Sequence, residues 1–255
     1  MSGTELLDIL GARHGIVCAV GAGGKKTTLY RLLAAHPGRA AFTSTVFTYT
    51  FPDDLAAQAL VAPPQSIVAE VEQAARTHAK LAFACPSEKA GRLVGLTSAQ
   101  VVECHQRAGF DLTLVKADGA RMRLIKAPDV HEPNLVAGAA TVLALVSARV
   151  IGLPLTPRCA HRPERVAAVT GAVEGEVLTP LHVARLIASA DGLLRGVGEA
   201  RVVPVINMAE SPAEHVAARH AARIALDLSD RYERVVIAAM RAEQPIVEVV
   251  ERACG

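Results

Sequence analysis

Apolar residues occur along this chain in short unbroken blocks, separated by segments whose apolar positions recur every three or four residues. The blocks at 16–20, 40–45, 80–85, 110–118, 141–146, 202–206 and 233–239 have the length and continuity of strands covered on both faces. The segments 28–36, 66–78, 98–109, 162–170, 179–188 and 211–228 read as helices. A first helix is expected to be capped by Thr4, with Leu6, Leu7 and Leu10 on one face. Thr179-Pro180 places a capping hydroxyl before a proline at the first helical position, and Pro212 lies in the first turn of the 211–228 helix. Pro204 weakens the strand at 202–206 or puts it at a sheet edge, and 246–250 adds a further edge. Strand and helix alternate throughout, without repeat or linker. The pattern therefore predicts a single α/β domain over 1–255, with a mainly parallel sheet and helices on both faces.

The chemistry begins where the first strand ends. Residues 16–29 read IVCAVGAGGKKTTL, an apolar run broken by glycines and followed by lysines, threonines and a helix. Amides freed by Gly21, Gly23 and Gly24 can turn onto an anion, and the helix start adds its positive dipole end. Two registers approximate the phosphate-loop pattern. In one, Lys25 is the phosphate lysine and Lys26 occupies the position of the Mg²⁺-binding hydroxyl. In the other, Lys26 is that lysine and Thr27 meets the metal, with Thr28 following. Two adjacent cations at a helix start oppose the dipole unless an anion is present, which argues against an empty glycine turn.

Other polar residues cluster at the ends of predicted strands. Thr43, Ser44 and Thr45 end the second and could meet phosphate or Mg²⁺. Asp118 ends the 110–118 strand before Gly119, as a carboxylate that holds Mg²⁺ beside a phosphate loop would. The loop 119–133, GARMRLIKAPDVHEP, offers Arg121, Arg123 and Lys126 to phosphate or carboxylate, and His131 and Glu132 for acid–base work. Cys159 and His161 provide only two ligands, so a packed loop is expected there and not a zinc site. The anticipated ligand site gathers Gly21 to Thr28, Thr43 to Thr45, Asp118 and the stretch from Lys126 to Glu132 at the strand carboxyl ends.

Composition narrows the partners. Hydrophobic residues make up 51% of the 255, enough for a sizeable core, and the formal net charge of +2 is spread without a basic patch, so nucleic acid is not an expected partner. Aromatics are only 3%, too few for stacking platforms along a single strand. No apolar run approaches the roughly 20 residues of a membrane helix, and no basic-then-apolar leader opens the sequence. A cytoplasmic protein with no membrane association is expected. The cysteines Cys18, Cys85, Cys104, Cys159 and Cys254 are odd in number and lack C-x-x-C spacing, which predicts buried thiols instead of disulfides.

Taken together, VGAGGKKTT, TST, LVKADGARMRLIKAPDVHEP, GLPL with HRPE, TP with ARLI, and VINMAE resemble the YqeC-type family of selenium-dependent hydroxylase accessory proteins over most of the chain. The most specific part is the ordered trio ADG, KAP and HEP. The resemblance implies a P-loop NTPase-like fold, ATP or GTP and Mg²⁺ as cofactors, and a role in maturing molybdenum hydroxylases or their cofactor. A molybdoenzyme or a cofactor-biosynthesis protein is the implied partner. Residue by residue, GAGGK falls on Gly21, Gly23, Gly24 and Lys25, ADG on Asp118 and Gly119, KAP on Lys126 to Pro128, HEP on His131 to Pro133, and HRP on His161 to Pro163. Asn207 remains from an NKxD-like segment, with Met208 and Glu210 at its lysine and aspartate positions. Lys26 stands where the family has a hydroxyl, Lys116 where it has a glutamate and Ala120 where it has a serine.

If the protein turns over nucleotide, Lys25 or Lys26 would hold the phosphates and Thr27 and Asp118 the metal. Arg121, Arg123 or Arg162 would meet developing charge, and His131 or Glu132 would orient the acceptor. The departures instead lead one to expect binding with slow hydrolysis. The competing expectation is a non-hydrolysing scaffold that binds an anionic cofactor or a partner enzyme through the same loops, with Lys26 and Lys116 replacing Mg²⁺ electrostatically.

Overall fold

A computed structural model describes residues 1–252, in which seven α-helices are interspersed with mainly parallel strands. The backbone falls into two compact units, one formed by Met1–Ala19, Thr28–Gly119 and Asn134–Val142, the other by Val20–Thr27, Ala120–Pro133 and the chain from Leu143 onward.

In the first unit, α1 (Gly3–Ile9) leads to β1 (Gly15–Gly21), whose last residues belong to the second unit, as do the first residues of α2 (Lys25–Ala35). Then follow β2 (Ala40–Ser44), β3 (Thr48–Tyr49), β4 (Gln58–Val61), α3 (Ile67–Ala74), β5 (Lys80–Ala84), β6 (Arg92–Leu93), α4 (Ser98–Arg107) and β7 (Leu112–Lys116). The strands lie in the order β4-β5-β2-β7-β1, every neighbouring pair parallel. Apolar continuity explains the arrangement: β2 and β7 are buried along their whole lengths, while the outer β4 is largely exposed. Three expectations change here. Ser2, not Thr4, caps α1, its side chain accepting from the Glu5 amide. β7 stops at Lys116, so Asp118 lies two residues past the strand and not at its end. The antiparallel pair β3–β6 had no periodicity to announce it, because each strand is only two residues long.

The second unit continues with β8 (Ile125–Lys126), β9 (Thr141–Ser147, whose first two residues belong to the first unit), β10 (Ala160–His161), α5 (Pro163–Thr170), α6 (Pro180–Ala188), β11 (Arg201–Asn207), α7 (Pro212–Leu228), β12 (Arg234–Ala238) and β13 (Ile246–Glu251). The strands run in the order β9-β11-β12-β13, with β11–β12 parallel and β12–β13 antiparallel. Thr179 caps α6 with Pro180 behind it, and Pro212 lies in the first turn of α7, as the sequence predicts; the structure adds that Thr179 closes a capping box with His182 and Ser211 one with Glu214. β13 is the added edge, where Val250 is buried while Val247 and Glu251 are exposed. Pro204, by contrast, does not put β11 at an edge: β11 has β12 on one side and β9 on the other. The missing amide is tolerated because pairing with β12 falls at Val205 and Ile206, beyond the proline.

Cys18, Cys85, Cys104 and Cys159 are free and buried, as the composition predicts, and Cys254 lies outside the described residues. Burial pushes the Cys18 thiol up to about 11 and the Cys104 thiol up to about 12, so neither is a ready thiolate nucleophile. Among the described residues no helix is long and apolar enough to cross a membrane.

Candidate functional site

The glycine loop is built in the second unit from an apolar strand end. Gly21, Gly23 and Gly24 have φ of 87°, 82° and 103°, a left-handed backbone that side-chain-bearing residues rarely take. Their surroundings also exclude a side chain: a Cβ on Gly21 would lie 2.1 Å from the Leu145 carbonyl oxygen, and one on Gly23 2.5 Å from the Ser147 amide. The loop is thus pressed against the end of β9, where the Ala22 amide donates to the Leu145 carbonyl at 2.9 Å. Asn207, at the end of β11 and buried, donates from Nδ2 to the Gly23 carbonyl at 2.8 Å while its Oδ1 accepts from the Met240 amide at 3.1 Å. Both ends of its amide are engaged in holding the loop, so Asn207 acts here as a brace. Met208, just beyond, has φ of 64° and receives the Ser147 hydroxyl at its sulfur.

Lys25 opens α2 and is buried, its ammonium folded back onto the Gly21 carbonyl. Lys26 and Thr27 are half-buried in the same first turn. Of the two lysines, Lys25 is the one whose ammonium lies back on the loop, at the Gly21 carbonyl. What the loop offers chemically is a turned backbone, the positive end of an eleven-residue helix and two ammonium groups, with no acid in that first turn.

A second constellation, also in the second unit, comes from the two proline-punctuated segments. The two-residue strands β8 and β10 pair in parallel and set Lys126 beside His161. Lys126, only 1% exposed, reaches the Glu132 carboxylate at 2.8 Å, and Arg162 reaches the same oxygen at 2.8 Å. The Asp129 amide donates to it as well, at 3.2 Å. Asp129 in turn receives Arg162 at 3.3 Å and Arg165 at 2.5 Å. The lysine of KAP, the glutamate of HEP and the arginine of HRP therefore form one ion-paired group. Arg162 is not the first residue of α5 but its cap, at φ 59° and ψ 70°, with its side chain turned to the two carboxylates and not to the helix.

Burial alone would raise the Glu132 carboxyl, but Lys126, the Asp129 amide and Arg162 outweigh it and hold the group below its ordinary value of 4.5. A folded value below the unfolded one means that the unfolded chain binds the proton first, so this contribution is full above the ordinary range and is lost as pH falls through the folded value. Acid unfolding followed by circular dichroism from roughly pH 5 to pH 2 should therefore show a limb that Glu132→Gln flattens. Equal acid sensitivity in the two proteins would remove Glu132 from the account.

The remaining anticipated residues are placed as follows. Asp118 is 2% exposed and Thr28 fully buried, both in the first unit. In that unit Thr43 donates to the Phe83 carbonyl, Ser44 to the Lys116 carbonyl and Thr45 to the Asn134 carbonyl, so these hydroxyl protons tie the strand end to its neighbours. Lys116 donates to the Phe47 carbonyl at 2.9 Å. In the second unit Arg121, Arg123 and His131 are exposed. Cys159 donates to the Pro154 carbonyl, the packed loop expected of it, and among the described residues no cluster of His, Cys, Asp and Glu could hold a metal ion. Sequence reasoning did not single out Leu145, Ser147, Met240, Asp129 or Arg165. Their roles depend on tertiary proximity, and only the Ser147 position, just past a predicted strand, carried a local signal.

A family model described as YqeC protein matches residues 17–164, more than half of the chain and inclusive of the loop and the KAP, HEP and HRP motifs. The uncharacterized protein YqeC of Escherichia coli (strain K12) is 27% identical over 194 residues, an alignment covering 72% of this chain and 72% of that protein. No solved structure matches.

Proposed function

The chain belongs to the YqeC protein family, and on that premise we propose that it binds a phosphate-bearing ligand, ATP or GTP, at the Gly21-to-Thr27 loop in a P-loop NTPase-like architecture. Its role in this reading is that of an accessory factor in the maturation of selenium-dependent molybdenum hydroxylases or their cofactor, as the motif resemblance implies. The observation that carries the binding half is the loop's shape: three left-handed glycines, braced by Asn207, under a buried lysine at a helix start.

Mg²⁺, where it takes part, would neutralise phosphate charge, with Thr27 as the ligand the glycine loop itself offers. No ready-made cluster of ligands is needed for that, because Mg²⁺ arriving on a nucleotide takes only one or two protein groups and keeps waters and phosphate oxygens.

The test is a thermal-shift series with ATP and GTP, each with and without Mg²⁺. A ligand at a hundred times its Kd stabilises by about 2.7 kcal/mol, which lifts Tm by several degrees in a chain of this size. Lys25→Ala combined with Lys26→Ala should lose the shift while keeping the fold. A folded double variant that still responds would sink the reading. Lys26, half-buried beside Lys25 in the first helical turn, favours the second reading, a scaffold that binds without hydrolysis. Brisk Mg²⁺-dependent phosphate release by the wild type would exclude that second reading.

A further inference from the structure

Both exposed rings of this chain stand together in the first unit. Of the aromatic residues, Phe42, Phe83, Phe110 and Tyr232 are buried, Tyr30 and Phe51 are half-buried, and only Phe47 and Tyr49 are exposed, by 50% and 42%. Phe47 directly precedes β3 and Tyr49 ends it, so strand alternation puts the two rings on one face. Thr48 between them faces the other way and is 1% exposed. Leu93, which pairs with Thr48 across the two strands, is buried on that inner side, whereas Arg92 pairs with Tyr49 on the outer one.

Each exposed ring carries a cation. The Arg92 guanidinium lies 3.7 Å from the centre of the Tyr49 ring, with Nη2 donating to the Tyr49 hydroxyl at 3.0 Å. The Lys89 ammonium lies 5.0 Å from the centre of the Phe47 ring. Neither cation forms an ion pair among the described residues, and the acids nearest in sequence, Asp53, Asp54 and Glu88, are exposed and pair with neither. A cation over an exposed ring contributes little, because water competes for both partners, so it does little to offset the exposure of the rings. Phe, Tyr and Arg gathered on one outward face have the composition of the centre of a protein–protein contact. Two cations are too few to grip a nucleic-acid backbone, and a small molecule requires a concave site that covers most of its surface, which a pair of two-residue strands does not supply.

We propose that the outer face of the β3–β6 pair docks an acidic segment of a partner protein, whose carboxylates meet Lys89 and Arg92 and whose apolar side chains cover Phe47 and Tyr49. Charge selects that occupant. Two cations without a carboxylate partner repel a basic surface, and they disfavour a second copy of the same face, which would set Lys89 and Arg92 against their own images. Both cations are already held over rings, so less of their freedom remains to be lost when a carboxylate arrives. The contact draws on nothing in the glycine loop and stands or falls apart from the nucleotide reading.

The experiment places the photo-crosslinking residue p-benzoylphenylalanine at position 47 of the full chain and irradiates it in its native cells. The adduct and its crosslinked peptide are identified by mass spectrometry, and the purified partner is then titrated against the unmodified protein and its variants. The surface predicts a protein adduct whose crosslinked peptide is rich in Asp and Glu. Lys89→Glu combined with Arg92→Glu should weaken that complex about a hundredfold, a factor of about ten for each charge-assisted contact. Lys89→Gln combined with Arg92→Gln, which removes charge without reversing it, should weaken it less. Phe47→Ser should cost about thirtyfold, the worth of one central aromatic anchor. These side chains lie on the outer face, so the melting temperature should stay near that of wild type in every variant. The absence of an adduct, an adduct with nucleic acid or with a second copy of this chain, a crosslinked peptide without acids, or a complex equally tight in Lys89→Glu with Arg92→Glu overturns the proposal.

Discussion

Gly23→Ala is expected to destabilise the chain by about 3 kcal/mol or more, a fall of roughly 10 °C in Tm, and to abolish ligand-induced stabilisation at the loop. Two costs combine. At φ 82° an L-residue pays about 1–2 kcal/mol for its backbone alone. The new methyl would then stand 2.5 Å from the Ser147 amide nitrogen and 2.9 Å from its Cα, so main chain must move, because no flexible side-chain end is there to yield. Displacing Gly23 also strains the bond from Asn207 to its carbonyl and, through the Asn207 Oδ1, the Met240 amide. Gly119→Ala is the control: nothing lies within 4 Å of its added Cβ, so despite its place in the ADG motif the change should stay within about 0.5 kcal/mol of wild type. Urea unfolding of the two variants beside the wild type decides the matter. A Gly23→Ala protein as stable as wild type would mean that the loop is free to move away from Ser147 and is not preformed.

How legible these features were in the sequence depends on how local their causes are. The loop was readable because strand, glycines, lysines and helix start are contiguous, and left-handed backbone is a property of glycine itself. The Thr179 cap with Pro180 behind it was readable for the same reason. The choice between Lys25 and Lys26 was not, since adjacent residues on a helix point about 100° apart and only the loop's path decides which one folds over it. The sequence marked KAP, HEP and HRP as separate motifs. Nothing in it said that their charged members would pair with one another, because the contact is made by two strands of two residues each, too short to have a period. Asn207 shows a related limit: the resemblance to an NKxD-like segment implied a ligand role for it, and only tertiary structure shows the Gly23 carbonyl within its reach.

The second large effect concerns Glu132, for which sequence and structure suggest different work. As an acceptor-orienting residue it would leave stability almost unchanged when removed, and activity would collapse. As the hub of the ion-paired group its loss breaks a buried pair: Lys126 is 1% exposed, and removing one partner of a buried ion pair typically costs about 3–5 kcal/mol. Glu132→Ala should therefore destabilise by about that much. Lys126→Met should cost less, about 1–2 kcal/mol, because it leaves a carboxylate that is more exposed and still held by Arg162 and the Asp129 amide. In the double variant Glu132→Ala with Lys126→Met the buried ammonium is removed together with the carboxylate, so it should be more stable than Glu132→Ala alone, with a coupling of at least about 1 kcal/mol. Chemical denaturation of the four proteins measures that coupling directly. Additive losses, or a Glu132→Ala protein within about 0.5 kcal/mol of wild type, would show that the three motifs are not held together by this pair, and would return Glu132 to the role of a residue facing a ligand.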